Sequence, residues 1–159
     1  MQQLRCWVRI YVSVVAALFI IDRLTKQAAL TLLGDGTICH WGPFVSFELM
    51  FNRGVSWSLF HSAQQAPFVM LTMVVMVMLG ALAAYTYQRA RAGYSVFPEL
   101  LVFAGGVSNI VDRMVYAGVI DFIGLHWRHW SFPVFNIADS LIVLGVLLML
   151  IQGVGNEHS

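Results

Sequence analysis

Charge is what this chain has least of. Acidic and basic residues together make up 11% of its 159 positions, whereas 59% are hydrophobic. A soluble domain carries about a quarter charged residues, so this chain lacks the polar surface that a fold in water needs. Mean hydropathy is +0.76 and the formal net charge is only +1. The few cations are scattered without a basic patch, which excludes a nucleic-acid partner. There are two cysteines, Cys6 and Cys39. The topology derived below puts them on opposite sides of a membrane, so they cannot pair, and neither has an activating neighbour. Internal repeats and low-complexity tracts are missing, and the length allows one domain spanning residues 1–159. HExxH and GxSxG sequences are also missing. His126 and His129 have a spacing compatible with metal but no third ligand nearby. No metal and no cofactor are expected.

What the chain does have is long apolar runs. About 20 apolar residues cross a bilayer, and four segments qualify: Trp7 to about Ala29, Ala66 to Tyr87, Phe97 to Tyr116, and Val134 to Ile151. Ser95 and Pro98 suit the start of the third, since proline is tolerated in a first helical turn. Arg5 and Arg9 ahead of an apolar run resemble a secretory signal, yet the run ends at Ile21-Asp22-Arg23 without a small-x-small cleavage site. A retained first span is therefore expected. Arg5, Arg9, Arg89 and Arg91 put both termini and the link between spans two and three in the cytoplasm. Arg23, Lys26, Arg53, Arg113 and Arg128 oppose that orientation. Three of them have an acidic residue within four positions, as site residues would.

Five polar islands interrupt the apolar background: Asp22-Arg-Leu-Thr-Lys26, Asn52-Arg-Gly54, Asn109-Ile-Val-Asp112-Arg113, Asp121, and Asn136-Ile-Ala-Asp139. An ionisable group in a membrane is by default a functional-site hypothesis. Spans one and three run outward and spans two and four inward. Asp22 then lies roughly 22 Å of helix beyond Trp7, and Asp112 a similar distance beyond Phe97. Asp139 falls in the first turns of the descending fourth helix. The islands converge on the outer membrane face. Asp22 and Lys26 are i,i+4 partners. Asn109–Asp112 and Asn136–Asp139 are i,i+3 partners, each asparagine placed to orient a carboxylate. Polar pairs that only fasten helices are the competing explanation.

Between the spans, Gly34-Asp35-Gly36 reads as a turn. Val45–Phe51, Val119–Trp130 and Phe132–Phe135 are rich in strand formers. Tryptophans at 41, 57, 127 and 130 suit a bilayer interface. The expected fold is an all-α integral membrane protein, a four-helix transmembrane bundle with a small extracytoplasmic β platform too small to fold alone.

Two carboxylates sharing one proton can activate water and protonate a leaving amine, because like charges at close range cannot both ionise. Asp112 is followed by Arg113, which would compensate its charge. Asp121, in Val-Ile-Asp-Phe-Ile, has no adjacent cation and should hold a proton at neutral pH. Asp139, near a helix N-terminus, keeps its charge more easily. Asp121 as acid and Asp139 as base is a workable division. Paired acids also serve proton- or ion-coupled transporters, but those sites lie near the bilayer midplane. A non-catalytic membrane scaffold is the third possibility.

These motifs resemble the type II signal peptidases, the bacterial lipoprotein signal peptidases, along nearly the whole chain. The matching pieces are Asp22-x-x-Thr-Lys26, Asn52-x-Gly54, Gly105-Gly106-x-x-Asn109-x-x-Asp112-Arg113, Val119-x-Asp121-Phe122 and Phe135-Asn136-x-Ala138-Asp139. The resemblance implies an aspartic endopeptidase without metal. Its dyad would be Asp121 and Asp139, and it would cut lipidated prolipoproteins just before a diacylglyceryl-modified cysteine. It also implies a multi-pass protein of the bacterial cytoplasmic (inner) membrane, in contact with membrane lipids, with its active site at the outer face. A monomer is expected. Asn52, Gly54, Asn109, Asp112, Arg113, Asn136 and Ala138 are expected to hold substrate or support the dyad, and Asp22, Lys26, Gly105 and Gly106 to support the fold. Ser108 stands where the family usually has glycine, and Val55-Ser56-Trp57 departs from its commoner small-residue run.

Overall fold

The computed structural model describes residues 2–54 and 65–156, with side chains placed over 9–54 and 65–153. Trp57, the Val55-Ser56-Trp57 departure and the side chain of Cys6 lie outside the described residues. Four helices and four strands follow in the order α1 (Gln2–Leu32), β1 (Cys39–Trp41), β2 (Val45–Asn52), α2 (Gln65–Arg91), α3 (Phe97–Tyr116), β3 (Val119–Trp127), β4 (Trp130–Phe135) and α4 (Ile137–Asn156). The strands form one antiparallel sheet in chain order. The α2–α3 pair is inserted between its two middle strands.

The helices begin and end for local reasons. Pro98 sits in the first turn of α3, where its missing N–H costs nothing, and Ala117 ends that helix in the left-handed conformation. Gly36 closes the turn after α1 with φ +88°. Asp35 accepts hydrogen bonds there from the backbone N–H and the hydroxyl of Thr37. These bonds hold the exposed Asp35 carboxyl below its ordinary pKa. Val134 and Phe135, expected to open the fourth span, belong to β4 instead. A run of apolar residues carries no mark of where a strand becomes a helix. β1 is a strand of three residues, too short to be read from the sequence.

The interior and the exterior are exchanged relative to a soluble protein. Met70, Met73, Val77 and Met78 of α2 and Val143, Leu147, Leu150 and Ile151 of α4 face outward. Asp22, Lys26, Glu99, Ser108, Asp112, Arg113, Asp121 and Asn136 are buried. Such a surface suits hydrocarbon as its solvent, with polar groups turned toward one another. Among the described residues, α2 alone is long and apolar enough to cross a membrane by composition, with mean hydropathy 2.3 in its best window; α4 contributes a shorter apolar run, Ile137–Gly153.

Sheet and bundle meet at a small apolar core. Ala29 in the last turn of α1 and Leu33 just after it pack on Ile120 and Phe122 of β3. Alternate strand residues point to opposite faces, so burying Ile120 and Phe122 here turns Asp121 to the other face. In the bundle, Gly105 lies so close to α4 that a Cβ would collide with the backbone carbonyl of Ala138. Gly106 faces only the flexible end of Leu79. Gly105→Ala should therefore force α3 from α4 and cost about 1–3 kcal/mol, the range for overpacking. Gly80→Ala, with nothing within 4 Å of the added carbon, should be neutral or slightly stabilising. Unfolding of both variants in the same detergent checks the pair.

Candidate active site

Near the sheet, the bundle holds a cluster of ions. Lys26 Nζ lies 2.9 Å from Asp22 Oδ2 and 2.7 Å from Asp112 Oδ2, and donates to Asn109 Oδ1 at 2.8 Å. Arg23, one residue after Asp22, pairs with the other oxygen of Asp112. Asp22 accepts a further bond from the Ser108 hydroxyl at 2.5 Å and one from the backbone N–H of Ala138 at 2.8 Å. Asp112 Oδ2 also faces the Ile120 N–H at 3.3 Å. Two carboxylates and two cations thus neutralise one another while tying α1 to α3, β3 and the first turn of α4.

The expectation that Arg113 compensates Asp112 is corrected by this arrangement. Adjacent helical residues do not face each other. Asp112 turns toward α1, while Arg113 donates to the carbonyl of Gly54 and lies 5.5 Å from the Phe68 ring centroid. Its Nη1 is buried and has no hydrogen-bond partner among the described residues.

A second network grows from the first and carries Asp121 and Asp139. Asn109, whose carbonyl oxygen is held by Lys26, donates its amide to Asp139 Oδ1 at 2.8 Å. The amide of Asn136 reaches Asp121 Oδ1 at 2.6 Å, the Ile120 carbonyl at 3.2 Å and Asn109 Oδ1 at 3.3 Å. Asn136 also caps α4: its Oδ1 accepts from the N–H of Asp139 at 2.9 Å, while its own N–H faces Asp139 Oδ2 at 3.4 Å. This is a reciprocal cap of the kind a polar residue and an acid three positions later form. Asn52, at the end of β2, donates to Asp121 Oδ2 at 3.0 Å, and its Oδ1 accepts from the Gly54 N–H at 2.9 Å.

The two asparagines therefore serve different acids from those their spacing suggested. Asn109 serves Asp139 rather than Asp112. The side-chain amide of Asn136 serves Asp121, while its backbone N–H and amide oxygen cap Asp139. The cause is that Asn136 stands just outside α4, where its amide reaches β3, and that the Asn109 amide turns to α4 while Asp112 turns to α1.

Asp121 is 1% exposed. Burial, and next the neighbouring Asp139 charge, push its pKa up to about 7 against the bonds from Asn52 and Asn136. Asp139 is half-buried and lines a cavity of about 370 Å³ between β4 and α4, together with Asn52, Pro133, Phe135, Val143 and Leu147. A closed acid with a raised pKa and a more open one beside a cavity are bridged by Asn136. Sequence reasoning passed over Ser108, noted only as a departure, and the partnership of Arg23 with Asp112. It also missed that His126 is occupied on both ring nitrogens, by Ser46 Oγ at 2.7 Å and Ser131 Oγ at 3.0 Å.

The same fold occurs among bacterial membrane enzymes. One solved by the in meso method at 2.3 Å resolution aligns with a TM-score of 0.75 over 94% of this chain and 90% of its own, at 21% identity. Another, at 1.9 Å resolution, aligns with a TM-score of 0.73 over 91% and 92%, at 25% identity. The family model described as signal peptidase (SPase) II matches residues 14–154. The lipoprotein signal peptidase of Azoarcus sp. (strain BH72) is 36% identical over 85% of this chain and 77% of its own. That of Methylobacterium sp. (strain 4-46) is 36% identical over 89% and 87%. The chain belongs to the signal peptidase II family.

Lys26 is the single cation shared by both buried carboxylates. Lys26→Met should leave them undercompensated and cost about 3–5 kcal/mol, as breaking a buried pair does. Ser108→Ala removes one bond to Asp22 and should cost about 1–3 kcal/mol. Denaturation of both variants in mixed micelles measures the difference.

Proposed function

We propose that this protein is an aspartic endopeptidase that removes the signal peptide from prolipoproteins, cutting before the diacylglyceryl-modified cysteine, with Asp121 and Asp139 as its dyad. The observation that carries the reading is the bridge through Asn136, which binds Asp121 with its amide and Asp139 with its backbone N–H and amide oxygen. Membership of the family supports the reaction, and a proton held near neutrality on Asp121 supports the mechanism.

In that mechanism Asp139 accepts a proton from water as the water oxygen attacks the scissile carbonyl. Asp121 gives its proton to the carbonyl oxygen, forming a gem-diol. On collapse, the proton held by Asp139 passes to the leaving nitrogen, the C–N bond breaks, and a hydroxyl of the gem-diol returns a proton to Asp121. No net proton is consumed by the dyad. Asn52, Asn109 and Asn136 hold the carboxyl groups, and Arg113, whose Nη1 has no partner among the described residues, is suited to hold a substrate carbonyl. Gly54 presents its carbonyl to Arg113. Asp22, Lys26, Asp112, Ala138 and the glycines at 105 and 106 keep the helices in place.

The cavity beside Asp139 has Phe132, Pro133 and Phe135 on the sheet side and Val143, Leu144 and Leu147 on the α4 side. Its apolar wall continues into the outward-facing surface of α4, a path by which acyl chains stay in lipid while the peptide meets the acids. All four helices are proposed to span the membrane. Asp22, Lys26 and Asp112, which keep α1 and α3 from looking apolar, are buried in the ion cluster and shielded from hydrocarbon there. Both termini lie in the cytoplasm and the sheet on the outer face of the bacterial inner membrane. The protein is proposed to act as a monomer.

Asp121→Asn and Asp139→Asn should each lower cleavage of a lipidated precursor by roughly 10²- to 10⁴-fold while leaving unfolding cooperative. Normal processing by both variants would end the assignment. Because the Asp121 pKa is raised from 3.8 to about 7, the native protein holds this proton below about 7 and loses it above. Cleavage should fall as pH rises through that value, and the alkaline limb should vanish in Asp121→Asn. Between about 4 and 7 the native state binds the proton more tightly than the unfolded chain, so the Asp121 contribution to stability declines as pH rises across that window.

A further inference from the structure

At the end of the bundle away from the sheet lies a second polar cavity, of about 280 Å³, which the peptidase chemistry does not use. It sits between the last turns of α2 (Tyr85, Arg89), the first turn of α3 (Glu99) and the end of α4 (Val146, Met149, Gln152). Glu99 is 1% exposed. Its Oε1 lies 2.7 Å from Arg89 Nε, without the alignment of a hydrogen bond, and its Oε2 is buried with no hydrogen-bond partner among the described residues. Arg89 reaches the Ser95 carbonyl and Gln152 Oε1 only at 3.4 Å each. Its guanidinium rests over Tyr94 at 5.1 Å and Tyr85 at 5.7 Å.

A buried carboxylate oxygen without a donor calls for an explanation, because leaving it unsatisfied is costly. One water occupies about 30 Å³, so the space exceeds what a single bridging water would fill. The group that meets Oε2 must donate hydrogen bonds, and a positive charge on it would match the carboxylate better than a neutral donor. An ammonium group fits a carboxylate flanked by an aromatic ring. A divalent metal does not, because one carboxylate and one amide oxygen are a thin oxygen shell. The Arg89 guanidinium beside it is suited to a phosphate. Tyr85, Tyr87, Tyr94, Arg89 and Arg91 gather at this end, the composition of a headgroup-level belt.

We propose that this cavity binds the headgroup of an aminophospholipid, with the primary ammonium on Glu99 Oε2 and the phosphate on Arg89. The proposal rests on the membrane-spanning reading above but not on the peptidase chemistry. Bound lipid would bridge α2, α3 and α4 at this end of the bundle.

Native mass spectrometry of the purified protein offered phosphatidylethanolamine, phosphatidylglycerol and soluble phosphoethanolamine tests it. Wild-type protein should retain phosphatidylethanolamine at least about fivefold over phosphatidylglycerol, a coupling of the usual size. Glu99→Gln, with the same shape and no charge, should lose that preference. Val146→Phe, which narrows the cavity from its wall, should lower retention of the ethanolamine lipid and serves if Glu99→Gln fails to fold. Equal retention of both lipids by the wild type overturns the proposal, as does unchanged preference in the folded variants. Retention of soluble phosphoethanolamine without the lipid overturns the lipid as occupant. Precursor cleavage measured on the same samples separates the two readings: lost lipid preference with normal cleavage concerns this cavity alone, and lost cleavage with intact preference concerns the dyad alone.

Discussion

Lys26 holds two buried carboxylates at once, and the rest of the site is arranged around that fact. Removing an ammonium and two carboxylates from water costs several kcal/mol per ion, and only close pairing with every remaining hydrogen bond satisfied offsets it. Here the second cation is Arg23, and the leftover oxygen capacity is met by Ser108, Ala138 and Ile120. Because the partners come from α1, α3, β3 and α4, one relative placement of these elements satisfies them all. A buried ion cluster is a poor source of stability but a strict selector of geometry, and that is its use here.

The selection extends to the two aspartates. Lys26 holds Asn109, Asn109 holds Asp139, and Asn136 holds Asp121 while capping the helix that carries Asp139. The acids are thus placed by neutral amides, which orient a carboxyl without neutralising it. A cation in either position would have stabilised two negative charges and removed the shared proton. With Lys26 and Arg23 held in the ion cluster, that cluster sets position, while burial pushes the Asp121 pKa up. Ser108 strengthens this layer: where glycine would leave Asp22 with two donors, the hydroxyl provides a third.

Much of this was legible before the fold was seen, and the failures have physical causes. The four helices follow from apolar run length, and β2, β3 and β4 from strand-forming composition bounded by turns. The Asp22–Lys26 pair is real because i,i+4 residues share a helical face. The readings that failed assumed neighbours in sequence to be neighbours in space. Arg113 follows Asp112 but points elsewhere, and the asparagines one turn from an acid serve acids on other elements. The Asn136-x-x-Asp139 spacing did hold a usable signal, since it is the pattern of a reciprocal helix cap, and reading it so would have started α4 after Asn136. The pairing of Arg23 with Asp112 and of Glu99 with Arg89 is purely tertiary and left no mark in local spacing.

The central claim is that Asp121 and Asp139 hold one proton between them at neutral pH. Infrared difference spectroscopy with isotope-labelled aspartate reads this directly, through the stretch of a protonated carboxyl. One such band should be present at pH 6, disappear with a midpoint near 7, and be missing at both pH values in Asp121→Asn. A spectrum with every aspartate ionised at pH 6, or a band that persists unchanged when Asp121 is replaced, would contradict the shared proton and with it the chemistry built on it.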